Sequence, residues 1–63
     1  MVSGASDLIE IAGEIRARSA KAIKLYDGTR EAWLPLSQIE IEENGKTVTV
    51  TMPEWLARDK GLI

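Results

Sequence analysis

The stretch from Gln38 to Met52 constrains this chain more than any other. Ile39 and Ile41 alternate with Gln38, Glu40 and Glu42, and after Asn44-Gly45 the residues Val48, Val50 and Met52 alternate with Thr47, Thr49 and Thr51. A period of two in β-branched residues gives one buried and one wet face, the pattern of half-buried strands. Asn-Gly between two such runs supplies the positive φ that a tight hairpin needs. These residues therefore predict a hairpin with strands at about 38–43 and 46–52, its aliphatic side chains inward and its threonines and glutamates outward.

A second hairpin is expected upstream. Ile23 and Leu25 flank Lys24, the chain reaches Asp27-Gly28, and it returns through Glu31, Ala32, Trp33 and Leu34. Pro35 ends or bends that run because it has no N–H to donate to a ladder. The predicted strands are 21–27 and 30–35. After Met52 the signals change to those of a short helix at about 53–60. Pro53 suits the first helical position, Glu54 and Lys60 complement the helix dipole, and Gly61 is placed for a left-handed cap with Leu62 and Ile63 folding back as its apolar contact. Trp55 and Leu56 form the expected buried stripe.

Residues 7–18 admit two readings. Leu8, Ile11, Ala12 and Ile15 have helical spacing, and Asp7 with Glu10 fits a capping box. Ile9, Ile11, Gly13, Ile15 and Ala17 alternate equally well as a strand. A glycine in mid-helix costs about 1 kcal/mol relative to alanine, and isoleucines favour strands; the residues themselves leave the choice open.

At 63 residues the chain has room for one domain, 1–63, whose small core buries only about 60% of the surface exposed on unfolding. Short chains commonly add disulfides, a metal or a partner subunit. With no cysteine and no histidine, disulfides and the usual zinc sites are excluded, which directs attention to self-association as a homo-oligomer. The absence of cysteine fits a reducing compartment, no apolar run reaches the roughly 18 residues of a membrane span, and the start of the chain lacks the basic and apolar regions of a signal peptide. The expected setting is cytoplasmic, with no membrane partner and with residues 1–6 frayed.

The formal charge of −2 argues against general nucleic-acid affinity. Its distribution is uneven. Residues 16–30 hold Arg16, Arg18, Lys21, Lys24 and Arg30 against Asp27 alone, a net of +4, and residues 31–45 hold Glu31, Glu40, Glu42 and Glu43 with no basic residue, a net of −4. The expected arrangement is two solvated faces attracting each other across neighbouring strands; the alternative is a bipolar surface used for docking.

Catalysis has little to work with. Without His or Cys the commonest general base and thiol nucleophile are missing. Glu40 and Glu42 share a wet strand face, where solvated carboxylates make poor acid catalysts. Glu40, Glu42 and Glu43 offer only oxygen ligands to a divalent cation, and a solvated face is the preferred reading. The glycines match no phosphate-binding fingerprint. No cofactor is expected. The two tryptophans are expected to supply much of the buried area, with the alternative that Trp33 or Tyr26 anchors a partner or stacks on a base. Ser37 and Gln38 either bond to the local backbone or line a contact.

Several pieces also carry a resemblance. They are Gly13-Glu14-Ile15, Ser19-Ala20-Lys21-Ala22, Trp33-Leu34-Pro35-Leu36-Ser37-Gln38, Met52-Pro53-Glu54-Trp55-Leu56-Ala57 and Lys60-Gly61-Leu62-Ile63. In this order, over about residues 9–63, the chain resembles a group of small accessory proteins encoded by bacteriophages and prophages. The resemblance implies that residues 8–17 form a strand, that the setting is the cytoplasm of a bacterial host, and that the protein binds stoichiometrically to a host defence complex (an anti-CRISPR-like inhibitor) or to phage DNA-processing machinery. The chain departs from the group at Leu36, where lysine is common.

The expected fold is mainly β. It is a four- or five-stranded antiparallel sheet, curled into a partly open SH3-like or OB-like barrel, with one short C-terminal helix. The expected core is Ile9, Ile11, Ile15, Ile23, Leu25, Trp33, Ile39, Ile41, Val48, Val50, Trp55 and Leu56. The expected function is non-enzymatic binding of a protein partner. Binding of single-stranded nucleic acid and a self-associating scaffold are the alternatives. The candidate contact residues are Arg16, Arg18, Lys24, Tyr26, Arg30, Trp33, Ser37 and Gln38.

Overall fold

The computed structural model describes residues 7–63; the expectation of a frayed segment at 1–6 lies outside them. The elements follow the sequence pattern closely: β1 (Leu8–Arg18), β2 (Ala22–Tyr26), β3 (Glu31–Pro35), a 3-10 turn (Leu36–Gln38), β4 (Glu40–Asn44), β5 (Thr47–Pro53) and α1 (Glu54–Asp59). All five strands join one antiparallel sheet in the order β3-β2-β1-β5-β4. The two readings of residues 7–18 resolve as strand.

β1 is the spine of the sheet. Its first half, Leu8 to Gly13, pairs with β5, and its second half, from Glu14, pairs with β2, with a bulge between Ile15 and Ala17. Gly13 sits at the handover. A Cβ built there would collide with the carbonyl oxygen of Tyr26 and stand 3.1 Å from Asp27 Cα. Glycine is therefore needed at this position because the β2 backbone approaches too closely for any side chain.

The short β3–β4 connection forces the sheet to curl. β3 and β4 are the two edges, about 19 Å apart in a flat five-stranded sheet. The connection contains a 3-10 turn, which rises only about 2 Å per residue, and so cannot span that distance. The amide of Leu36 bonds the carbonyl of Lys21 at 2.9 Å, which fixes the turn beside the β1–β2 connection.

The curled sheet buries Ile23, Leu25, Leu34, Val48, Val50 and Met52 together with Leu56, Ala57 and Leu62 from the C-terminal segment; Ile9, Ile11, Ile15, Ala32, Ile39 and Ile41 pack half-buried against them. Two expected core residues are wrongly placed. Trp33 is 44% exposed and Trp55 49%. For Trp33 the reason is parity. Ile23 faces Leu34, Leu25 faces Ala32, and Trp33 faces Lys24 on the outer side. Trp55 lies on the solvent side of a six-residue helix whose inward positions are Leu56 and Ala57.

The turns show how local chemistry sets register. Asn44 pairs with Thr47, so the central turn residues are Gly45 and Lys46, one position later than expected. Gly45 has φ 77° and no non-glycine residue among those described has positive φ, which is the signature of a type II′ turn. Asn44 ends β4 and donates from Nδ2 to Thr49 Oγ1 at 2.8 Å. At the helix end, Gly61 (φ 76°) closes a Schellman motif: the Leu62 amide bonds the Ala57 carbonyl at 2.9 Å and the Gly61 amide the Arg58 carbonyl at 3.1 Å. Leu62 is buried as the apolar contact, and Ile63 is 55% exposed.

Between β2 and β3 the carboxylate of Asp27 accepts the amides of Thr29 (2.9 Å) and Arg30 (2.8 Å). The bond from Arg30, then that from Thr29, holds the Asp27 carboxyl below its ordinary value of 3.8. A depressed carboxylate contributes stability above its unfolded pKa and loses it as pH falls through the folded value. Asp27→Ala is therefore expected to destabilise the protein at neutral pH and to differ less from the parent in strong acid, where both chains lack the charge. Urea titrations at the two pH values check this; a gap that stays constant or widens in acid contradicts it.

Candidate functional site

Outward-facing residues of β1, β2 and β3 come together by register. Glu14, Tyr26 and Glu31 form one row across the three strands, and Ala17, Lys24 and Trp33 form the next. The Arg16 guanidinium lies 4.3 Å from the centroid of the Tyr26 ring, a cation–π distance. The Tyr26 hydroxyl donates to the Gly28 carbonyl at 2.8 Å, which holds the ring in place. Four of the eight predicted contact residues, Arg16, Lys24, Tyr26 and Trp33, thus share one exposed face.

The charges on this face are compensated locally. Arg16 Nε lies 3.4 Å from Glu14 Oε1, and Lys24 Nζ lies 3.3 Å from Glu31 Oε1. The expected attraction between the basic and acidic segments across neighbouring strands is confined to the Lys24–Glu31 pair. Glu40, Glu42 and Glu43 lie on β4, beyond β5 and β1 from β2, and enter no ion pair among the described residues. Pairs exposed to this degree are worth about 0–1 kcal/mol each, so the pairing neutralises the face more than it stabilises the fold.

The other four residues are placed elsewhere. Arg30 donates from Nη1 to the Gly61 carbonyl at 2.6 Å, tying the β2–β3 turn to the end of α1, where a cation is favoured. That bond gives Arg30 a structural role away from the Trp33 face. Arg18 is exposed at the end of β1, with Ile23 as its register partner on β2. Ser37 and Gln38 are exposed in the 3-10 turn beside Lys21. Their side chains make no hydrogen bond among the described residues, so the expected bond from Ser37 to the local backbone does not form. Ser19 serves the nearby turn instead, its Oγ accepting the Ala22 amide at 3.1 Å.

Residues that the sequence reading left out also shape the face. Ala17, and Ala22 paired with Pro35, are small neighbours that leave Trp33 standing proud. The signal was available: strand parity from Ile23 and Leu25 sends Lys24, Tyr26, Trp33 and Pro35 to the same side.

Among the described residues there is no enclosed pocket, no group of three His, Cys, Asp or Glu placed to hold a metal ion, and no helix long and apolar enough to cross a membrane. What the arrangement offers is an open surface: an exposed indole, a fixed phenol ring with its guanidinium, and a lysine between them. Comparison of the chain with protein-family models, curated proteins and solved structures returns no match.

Proposed function

We propose that this chain is a non-enzymatic binding module that docks a protein partner through the outer face of β1, β2 and β3, with Trp33 as its anchor. The observation that carries the reading is Trp33 itself, held 44% exposed on a strand next to Lys24. Tryptophan, tyrosine and arginine dominate the energetics of protein interfaces when flanked by contacts that exclude water. Tyr26 with Arg16 fits that description, and the small residues Ala17 and Ala22 leave room for a partner side chain. The resemblance to phage accessory proteins makes a bacterial defence complex the first candidate partner, bound stoichiometrically in the host cytoplasm.

A second reading, binding of single-stranded nucleic acid, draws on the same aromatic and basic residues. It is disfavoured because Glu14 and Glu31 offset Arg16 and Lys24 within 3.4 Å, and phosphate binding depends on net positive charge. Fluorescence anisotropy with a labelled single strand at low salt separates the two readings; affinity that falls steeply with added salt selects nucleic acid.

The direct test is affinity capture from infected host cells, with the captured partner then purified for titration. Trp33→Ala is expected to weaken that complex by at least about thirtyfold, the loss typical of an interface hot spot, and Lys24→Glu to weaken it as well. Trp55→Ala, which removes the other exposed indole, is expected to leave it intact. A complex indifferent to Trp33→Ala and Lys24→Glu rules out this face.

A further inference from the structure

The two sheet edges are protected very differently. β4 carries Glu40, Glu42 and Glu43. Glu43 pairs with the buried Val48, which sets a charge at an inward register position, a recognised device against edge-to-edge association. β3 has the single charge Glu31, then Ala32, Trp33, Leu34 and Pro35, and among the described residues has a hydrogen-bonded neighbour on one side only.

Hydrogen-bond alternation shows what that free side offers. The β2–β3 ladder is bracketed by the Asp27 amide bonding the Arg30 carbonyl at 3.0 Å and the Leu36 amide bonding the Lys21 carbonyl at 2.9 Å. In an antiparallel ladder, bonded and non-bonded pairs alternate. The pairs Leu25–Ala32 and Ile23–Leu34 therefore carry the bonds between, and Tyr26–Glu31, Lys24–Trp33 and Ala22–Pro35 are the non-bonded pairs. Pro35, which has no N–H, falls in a non-bonded pair, as it must. The amides and carbonyls of Glu31 and Trp33, and the carbonyl of Pro35, consequently point outward from the sheet.

We propose that two copies of this chain pair through β3, antiparallel about a two-fold axis at Trp33. In that register Trp33 faces Trp33 of the second copy, and the two exchange both of their N–H···O=C bonds. Glu31 faces Pro35 of the second copy and donates its amide to the proline carbonyl. Every outward N–H of β3 finds an acceptor; the missing N–H of Pro35 leaves only the Glu31 carbonyl of the facing copy without a donor, at the rim of the pairing where water reaches it. Leu34 comes opposite Ala32 of the second copy on the inner side, and the two indoles lie about 5.5 Å apart, backbone to backbone, on the outer side. No like charges oppose each other, since Glu31 meets proline. An isologous pairing of this kind closes and does not propagate. It joins two copies of the Trp33 face into one continuous surface. The size argument points the same way, since a chain of this length has little core of its own.

The inference stands apart from the proposed partner, because the bonds it uses are on the edge and not on the face. Amide hydrogen exchange of the full chain, from low micromolar to near-millimolar concentration, gives the readout. By the alternation above, the amides of Glu31 and Trp33 have no acceptor among the described residues and are expected to slow as concentration rises, in step with dimer formation seen by sedimentation. The outward amides of β4, at Ile41 and Glu43 by the same alternation from the Asn44–Thr47 turn pair, are expected to stay fast. Trp33→Lys, which sets two lysines opposite each other, is expected to weaken the dimer at least about tenfold, and Trp55→Lys to leave it unchanged. Lys24→Glu spares the edge bonds and separates loss of an external partner from loss of the dimer. A chain that remains monomeric throughout, a dimer indifferent to Trp33→Lys, or concentration-dependent protection at Ile41 and Glu43 in place of Glu31 and Trp33 overturns the proposal. If Trp33→Lys does not fold, exchange of the parent chain decides alone.

Discussion

Gly13→Ala is expected to lower the melting temperature by more than about 12 °C, the equivalent of about 3 kcal/mol in a domain of this size. The sign makes the test sharp. In a strand with ordinary space, alanine in place of glycine stabilises by about 0.4–1 kcal/mol, because it restricts the unfolded chain. At Gly13 the new Cβ meets the carbonyl oxygen of Tyr26 and the Asp27 Cα, which are backbone, so no rotamer change can relieve the overlap. β1 and β2 must part at the point where β1 passes from β5 to β2. A domain of this length holds roughly 3–9 kcal/mol in total, so the loss is a large share of it. Thermal unfolding followed by circular dichroism measures the effect. Because the obstacle is main chain, adding Tyr26→Ala should not rescue Gly13→Ala; a rescue, or a stabilised single variant, would show that the strands are farther apart here than the structure has them.

The second large effect reverses the usual ranking of residues by size. Leu34→Ala is expected to cost about 3 kcal/mol, in the range for a fully buried leucine that leaves a cavity, because Leu34 is fully buried in the core cluster that also holds Val50, Met52 and Leu56. Trp33→Ala, the larger truncation, is expected to cost less than about 1 kcal/mol, as its indole is half in water. Chemical denaturation of the two variants beside the parent gives both numbers. Equal losses, or a greater loss at Trp33, would place Trp33 in the core and remove the anchor of the proposed contact face. The same pair separates folding from function, since Trp33→Ala keeps the fold and is expected to lose the partner.

Much of the architecture was legible in local patterns. The Gln38–Met52 alternation, the two hairpin signals and the Pro53–Gly61 punctuation located β2 to β5 and the helix to within two residues, because strand period, turn φ and helix capping are decided by neighbours in the chain; the residues of 7–18 left helix and strand open. The placement of Trp33 was legible too and was missed. A hairpin loop with an even number of residues sets Ile23 and Leu25 opposite even-numbered residues of β3, and that parity overrides the tendency of a bulky indole to be buried. The Asn44-Gly45 turn was located but shifted by one, because Asn44 spends its side chain on Thr49 and leaves the positive φ to Gly45 alone.

Other features belong to contacts between distant parts of the chain. Arg30 reads as one more basic residue until the Gly61 carbonyl, 31 positions away, comes to it. Gly13 reads as a weak point in a strand until the Tyr26 carbonyl occupies the space its side chain would need. From residue 21 onward the sequence by itself determined which residues are strand, turn and helix, and which face of each strand is apolar, since these follow from side-chain periodicity and backbone φ. Only the tertiary structure decided that residues 8–18 are a strand and that this strand, β1, serves two ladders, that acidic β4 and indole-bearing β3 are the two edges of the sheet, and that Arg16, Lys24, Tyr26 and Trp33 share a face. Those depend on which strands pair, a choice made by burial of the whole sheet and by a connection too short to leave it flat.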